Sequence, residues 1–265
     1  MTLTIATWNI NSVRLRIASV ERLLNQVQPD ILCLQETKTP DEFFPDAAFE
    51  ALGYRHRLVH GMKSYNGVAI VSRIPFSEQL TLDRCGRSDC RHGVVTLEGG
   101  LELHNLYVPA GGDIPDPALN DKFAHKLAFL DELTSYFGAV DRQGRSMIVV
   151  GDLNVAPLEH DVWSHKQLLD VVSHTPVEVE RYTRLQAASG FVDAVRHFVP
   201  ADRKLYSWWS YRAKDWEASD RGRRLDHVWV TPDLVPRLAG YEILRAVRGW
   251  EKASDHVPVV VRLGT

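Results

Sequence analysis

SMIVVGDLN, residues 146–154, is an apolar run of strand length that breaks off at two polar residues, Asp152 and Asn154. Residues so rich in Ile and Val favour a pleated, buried strand. A carboxylate or amide at the edge of a core needs a reason. The same outline recurs along the chain. TLTIATWN (2–9) ends on Asn9, PDILCLQE (29–36) on Glu36 and LELHNLYV (101–108) near Tyr107, while GVAIVS, VVTLE, LDHVWV and VPVVVRL supply further strand candidates. Between the first two strands, Ile17, Val20, Leu24 and Val27 recur at helical spacing, with Ser12 placed to cap that helix and Pro29 to stop it. Phe123, Leu127, Leu130 and Phe137 mark a second amphipathic helix. Many strands and a few long helices imply α/β or α+β layering, with sheets packed together and helices outside.

The chain has 265 residues, 45% of them apolar and 25% charged, enough for one large core. No repeat, low-complexity stretch or linker rich in Gly, Pro or Ser divides it, so one domain over 1–265 is expected. No apolar run reaches membrane-spanning length, and MTLTIATWN lacks the basic start and long apolar stretch of a signal peptide, so a cytoplasmic protein without membrane contact is expected. The three cysteines, Cys33, Cys85 and Cys90, form no disulfide framework. Cys85, Cys90 and His92 lack a second Cys/His cluster that would make them a metal site, and they read as loop residues.

The informative regularity is where the strands stop. Asn9, Glu36, Tyr107, Asp152 and Asn154 follow apolar runs, and two Asp-His dipeptides, in RRLDHVWV and SDHVPVVV, add Asp226, Asp255 and His256. Singly, an Asp or Asn after a strand is a turn residue and a His is a satisfied core or surface group. Together they could surround one cleft with oxygens and an imidazole. Oxygen donors without a cysteine cluster suit a hard ion, magnesium or manganese, which retains waters for a substrate phosphate. Phosphodiester hydrolysis asks for on the order of 20 kcal/mol of barrier lowering, more than any single group supplies, so a combined site is required.

TWNINSVRLR, LQETK, YNGVAIVSR, LYVPAG, GDLNVAP, SWWSYR, RRLDHVWV and SDHVPVVV, in this order over essentially the whole chain, closely resemble the exonuclease III family of DNA-repair nucleases, within the endonuclease/exonuclease/phosphatase superfamily that also holds DNase I-like nucleases. The resemblance implies a four-layer α/β sandwich, two packed mixed sheets flanked by helices. It implies Glu36 as principal Mg²⁺ ligand, with Asn9 and Asp255 beside it and Mn²⁺ as a substitute. Asp152 would activate or position the attacking water, Asn154 would orient water or phosphate, and Tyr107 would lie near the scissile phosphate. Asp226 would hold His256, whose imidazole meets the phosphate. The implied activities are 3′→5′ exonuclease, processing of blocked 3′ ends and incision 5′ to abasic sites in double-stranded DNA, by a monomer.

Strand geometry divides the two Asp-His pairs. Adjacent strand residues point to opposite faces, so Asp226 should face the cleft and His227 should not. His256, at a strand entrance, can meet Asp226 from the neighbouring segment.

The formal charge of −3 argues against nonspecific coating of DNA but permits a local basic face. From Arg203 to Arg224 there are seven Lys or Arg against three Asp or Glu, interleaved with Tyr206, Trp208, Trp209, Tyr211 and Trp216. Phosphate contacts plus aromatic surfaces suit a nucleic-acid loop, with Trp209 and Arg212 among its candidates; the alternative is a solvated loop whose tryptophans anchor it. Arg14, Arg16, Arg55, Arg57, Lys63, Lys122 and Lys126 are further candidates for that face. The resemblance places Trp208 and Leu225 in the walls of an abasic-sugar pocket. Arg223 stands where an apolar residue is common and His174 could narrow the pocket, which favours 3′-end processing over abasic incision. The rival readings are a phosphoesterase for RNA or another phosphate ester and a DNA-binding module without catalysis.

Overall fold

In the computed structural model, which describes residues 2–139 and 144–264, the strand-like runs fold as strands and pair into two large sheets. Strands β1 (Thr2–Asn9), β2 (Ile31–Gln35), β3 (His56–His60) and β4 (Val68–Ser72) come first, followed by β5 (Phe76–Thr81), β6 (His92–Leu97), β7 (Glu102–Tyr107) and β8 (Met147–Asp152). The short strands β9 (Val192–Asp193), β10 (Trp208–Trp209) and β11 (Gly222–Arg223) precede β12 (Asp226–Val230), β13 (Leu238–Ile243) and β14 (Val259–Gly264). One six-stranded sheet runs β13-β14-β1-β2-β4-β3, the other β5-β6-β7-β8-β12-β9, and β10 and β11 form a separate ribbon. Both large sheets are mixed, with a parallel pair, β1 with β2 and β7 with β8, among antiparallel neighbours.

Alternation along the strands makes the layers. Ile5, Ile31 and Cys33 of the first sheet meet Val95, Ile148, Val150 and Val228 of the second in one apolar cluster, whereas Ala6, Leu32 and Leu34 turn to the opposite face. There they pack on α1 (Ile17–Val27) and α2 (Asp46–Ala51) through Val20, Leu23, Leu24 and Phe49. The outer face of the second sheet, with Leu106, Val149 and Trp229, is covered by α3 (Asp121–Ala139) and a helix over Pro176–Ser189. The short helix α4 (His165–Leu168) precedes that second cover, which is α5. The result is helix, sheet, sheet, helix: the expected four-layer sandwich. Among the described residues no helix is long and apolar enough to cross a membrane.

One local expectation changes, and three strands are added. Ser12 does not cap α1: the helix begins after Arg16, without a side-chain cap, and Ser12 instead lies in a left-handed turn (φ 86°) with its amide on the Glu36 carbonyl. The edge strands β3, β5 and β13 were not evident in sequence: β3 is only half-buried apart from Leu58, β13 has exposed positions and β5 is exposed along almost its whole length. The α5 start does carry a sequence signal, Thr175-Pro176-Val177-Glu178, a capping box with proline in the first turn.

Register carries this architecture to the site. Tyr107 of β7 lies opposite Asp152 of β8, and Asp152 opposite Asp226 of β12, so three polar residues form one row across the end of the second sheet. In the first sheet Asn9 pairs with Gln35, one residue before Glu36. Gly151 allows the close approach beneath that row: at φ 137°, a Cβ there would stand 1.9 Å from the Leu106 carbonyl oxygen.

Candidate active site

Where β2 ends, Glu36 turns into the left-handed region (φ 51°) and its carboxylate enters the space between the sheet ends. Its Oε1 accepts from Asn9 Nδ2 at 2.9 Å and from the Tyr107 hydroxyl at 2.8 Å, while Oε2 is paired with Lys38 Nζ at 2.7 Å. Burial pushes this carboxyl's pKa up, but the Lys38 ammonium and the Asn9 bond outweigh it and hold it below the ordinary value. The same Asn9 amide donates to Asp152 Oδ2 at 2.9 Å, so one amide holds two carboxylates. Tyr107 stays a phenol: burial first, then the charges of Glu36 and Asp152, drive its pKa well above the ordinary value.

Asp152 is buried and receives the Asn154 backbone amide at 2.9 Å and the Asn154 Nδ2 at 3.1 Å. Asn154 reaches both through a left-handed backbone (φ 53°). Burial raises the Asp152 pKa to about 7, with Asp226 and Glu36 adding to the rise and His256 opposing it. His256 Nδ1 lies 2.8 Å from Asp226 Oδ2, and its Nε2 lies 3.7 Å from Asp152 Oδ2, beyond hydrogen-bond length. Burial alone would discharge this imidazole, but Asp226 and Asp152 overcome it and push its pKa up to about 10. An imidazolium therefore sits between two carboxylates of neighbouring strands. Its backbone is fixed too, since Trp8 Nε1 donates to the His256 carbonyl at 2.9 Å.

Oxygens that could hold a cation occur in two groups. Asp152, Asp226 and His256 offer ligand atoms within 4.8 Å of one another, but the imidazolium already supplies the positive charge there. Glu36 differs: its cation is Lys38, a partly exposed side chain on a flexible stem, and Asn9 and Asp152 stand beside it. This hard, oxygen-rich set fits a magnesium-type ion. Asp255 is joined to Glu36 through side chains: its Oδ1 accepts from Asn11 Nδ2 at 3.2 Å, and Asn11 Oδ1 accepts from Lys38 Nζ at 2.6 Å.

A model of the Endonuclease/Exonuclease/phosphatase family matches residues 6–256. The chain belongs to that family. Among its relatives, exodeoxyribonuclease III of Haemophilus influenzae is 31% identical over 267 residues, covering 96% of this chain and 97% of that protein. Among solved structures, an AP endonuclease from Archaeoglobus fulgidus superposes with a TM-score of 0.91 at 34% identity, covering 99% of this chain and 100% of that one. A 3′ phosphatase, NExo, from Neisseria, bound to product DNA hairpin, gives a TM-score of 0.91 at 29% identity over 99% of this chain and 100% of its own.

The cluster at the sheet ends brings together residues singled out in sequence, plus three that were quoted in motifs without a role. Asn11 and Lys38 link Asp255 to Glu36. Ser207, at the head of SWWSYR, donates to Asp226 Oδ2 at 2.6 Å and accepts the amides of Leu225 and Asp226, each at 3.1 Å. It fixes the aspartate that fixes the histidine.

The basic aromatic loop divides between anchor and surface. Trp208 donates from Nε1 to Asp255 Oδ2 at 3.0 Å and packs with Leu225 and Ala156, beside the site. Trp209, its strand neighbour, points the other way into the apolar layer under the first sheet and donates to Asp220. Tyr211 and Arg212 are exposed, whereas Arg224 is buried against Asp161 and Asp193. Arg223 Nη1 donates to the Val172 carbonyl and to Ser173 Oγ, each at 2.9 Å, with the guanidinium 5.3 Å from the Trp208 ring. His174 is buried, with Nδ1 at the Ala156 carbonyl (2.6 Å) and Nε2 at His165 Nδ1 (2.7 Å). Two distant candidates for the DNA face are corrected. Lys126 is wholly buried beneath the site, and Arg16 is buried and bonded to the Lys252 carbonyl and the Tyr211 hydroxyl.

Proposed function

We propose that this chain is a Mg²⁺-dependent DNA-repair phosphodiesterase of the exodeoxyribonuclease III kind, acting on double-stranded DNA and, above all, on damaged or blocked 3′ ends. The observation that carries the reading is the row Tyr107, Asp152, Asp226 across one sheet, facing Glu36 and Asn9 from the other and closed by an Asp226-held imidazolium. Asp152, with a carboxyl near neutrality, accepts the proton of the attacking water, and Asn154 orients it. His256 donates to the phosphate, where negative charge grows as the water oxygen bonds to phosphorus and the P–O3′ bond breaks. Tyr107, held as a phenol by Glu36, gives a second donor beside it. Glu36 with Asn9, and Asp255 behind Asn11, would hold Mg²⁺, or Mn²⁺ in its place. A bound ion there would neutralise phosphate charge during the displacement.

Exonuclease action, 3′-phosphate removal and incision at an abasic site break the same P–O3′ bond. They differ in what lies on the far side of the phosphate: a nucleotide, nothing or a bare sugar. Support for the 3′-end reading is the position of Arg223, whose guanidinium spans from Trp208 to residues 172–173 across the walls that a bare sugar would need. His174, with both nitrogens bonded, keeps residues 172–175 in place behind it. The reading includes one domain over residues 1–265 and a monomer working on cytoplasmic DNA.

Three duplexes test it, carrying a 3′-phosphate, a recessed 3′ end and an internal abasic site, each with Mg²⁺ and with EDTA. The 3′-phosphate should react fastest and EDTA should abolish every reaction. Arg223→Ala should raise abasic incision about tenfold relative to 3′-phosphate removal, the scale on which one pocket contact discriminates. Equal rates on the abasic and 3′-phosphate duplexes would refute the preference, and no Mg²⁺-dependent cleavage of any duplex would refute the nuclease.

A further inference from the structure

Beneath the row of site residues lies a second charged group that the chemistry above does not use. Lys126 of α3 and Glu178 of α5 are both completely buried and form an ion pair. The Lys126 ammonium also donates to the Asn154 carbonyl at 2.7 Å and the Ala110 carbonyl at 3.3 Å. Glu178 accepts the Ser173 amide on both oxygens at 3.0 Å, the Thr175 amide at 3.2 Å and the Thr175 hydroxyl at 2.6 Å. Of these bonds to the Glu178 carboxylate, a capping box needs only the one from the Thr175 amide. The remaining bonds reach three separate segments.

Stability does not account for such a pair, because replacing a buried ion pair with apolar groups is often neutral or stabilising. Position does. One contact holds the carbonyl of Asn154, the residue whose left-handed backbone and side-chain amide both address Asp152. A second holds Ala110, three residues beyond Tyr107, and the third runs through Glu178 to Ser173, whose hydroxyl receives Arg223. The turns that follow β7 and β8 and the corner that receives Arg223 therefore share one ammonium and one carboxylate.

We infer that Lys126 and Glu178 are positioning residues that set the Asp152–Asn154 turn in catalytic register and tie it to the 172–175 corner behind the substrate. This inference rests on the assignment of Asp152 and Asn154 to turnover. Neither charge touches substrate, since neither has an exposed atom to offer.

The test compares Lys126→Met, which leaves Glu178 unpaired, with Lys126→Met/Glu178→Gln, which removes both charges. On the 3′-phosphate duplex the double variant should lose on the order of 10- to 100-fold in kcat with KM within about twofold, the pattern of misplacement of a reacting group. In the substrate-free protein the Asn154 side-chain amide resonance should move, while the fold by circular dichroism is kept. A folded double variant with wild-type kcat, or with an unmoved Asn154 resonance, overturns the inference. So does failure of both variants to fold, which would make the pair a stability element. Wild-type protein inactive on every duplex would defeat the nuclease reading instead, and the resonance shift separates the two failures.

Discussion

The two Asp-His dipeptides put the same two side-chain types at one end of different sheets, the first opening β12 and the second just before β14, and give the two imidazoles opposite fates. His256 bonds Asp226 through Nδ1 and leaves Nε2 at 3.7 Å from the Asp152 carboxylate. His227, on the outer face of β12, has Nδ1 at 2.9 Å from the Tyr182 hydroxyl and Nε2 at 2.8 Å from the Val155 carbonyl, within a cluster of Tyr182 and Trp229 rings. The dipeptide does not decide which histidine works. A functional imidazole keeps one nitrogen uncommitted next to groups that change its charge, whereas a structural one spends both nitrogens on the fold.

The largest effects should come from breaking the working pair. Asp226→Asn and His256→Ala should each lower kcat about 1,000-fold, combining loss of a phosphate donor and of its orienting partner. Their double variant should be little worse than either alone, because the two act as one unit. Steady-state rates on the 3′-phosphate duplex decide this; additive losses would separate Asp226 from His256 and break the comparison.

A smaller effect, read from pH, sharpens it. Asp152 must be unprotonated to accept a proton, and burial has raised its pKa to about 7, so kcat/KM should fall as pH drops through that region. His256 must stay protonated, so activity should fall again as pH rises through about 10. His256→Gln should remove the alkaline limb. The same shifts act on stability with opposite signs. The raised His256 contributes stability that is full below its unfolded pKa near 6.5 and lost as pH rises through about 10; Asp152, whose proton is favoured by folding, costs stability as pH rises from 3.8 through about 7. An alkaline limb unchanged in His256→Gln would mean that another group titrates there.

Where sequence and structure part company follows the same logic of faces and partners. The central strands and the helices α1 and α3 were legible because burial on both sides or on one stripe writes an apolar pattern, as in MIVVGD and in α3, whereas α5, with few buried apolar residues, was not. Strands β3, β5 and β13 were not, since an edge strand half in solvent carries no such run. At the site, Asn9, Glu36, Tyr107, Asp152 and Asp226 were evident as polar breaks after or before apolar runs. Lys126 reads as a surface cation because a lysine is almost never fully buried unless paired; only the meeting of α3 with α5 gives it Glu178 and a buried place. Ser207 and Asn11 had no signal apart from their motifs, since their roles depend on contacts 19 and 244 residues away.

The smallest expected effect on chemistry falls on His227. Its side chain faces the α5 layer, opposite to Asp226, and both its nitrogens bond within that layer, so truncation should leave kcat within about twofold of wild type, given the independence of groups that share no partner. Stability should tell the other half. His227→Ala leaves the Val155 carbonyl without its donor and the Tyr182 hydroxyl without its imidazole, and opens space beside Trp229, so unfolding should become easier by about 2–3 kcal/mol. Turnover must therefore be measured well below the lowered Tm, with the folded fraction established by denaturant titration. A folded His227→Ala protein that has lost turnover would tie the outer-layer histidine to the site and erase the distinction on which the two dipeptides were separated; full activity with lowered stability would leave His256 as the histidine that meets the phosphate.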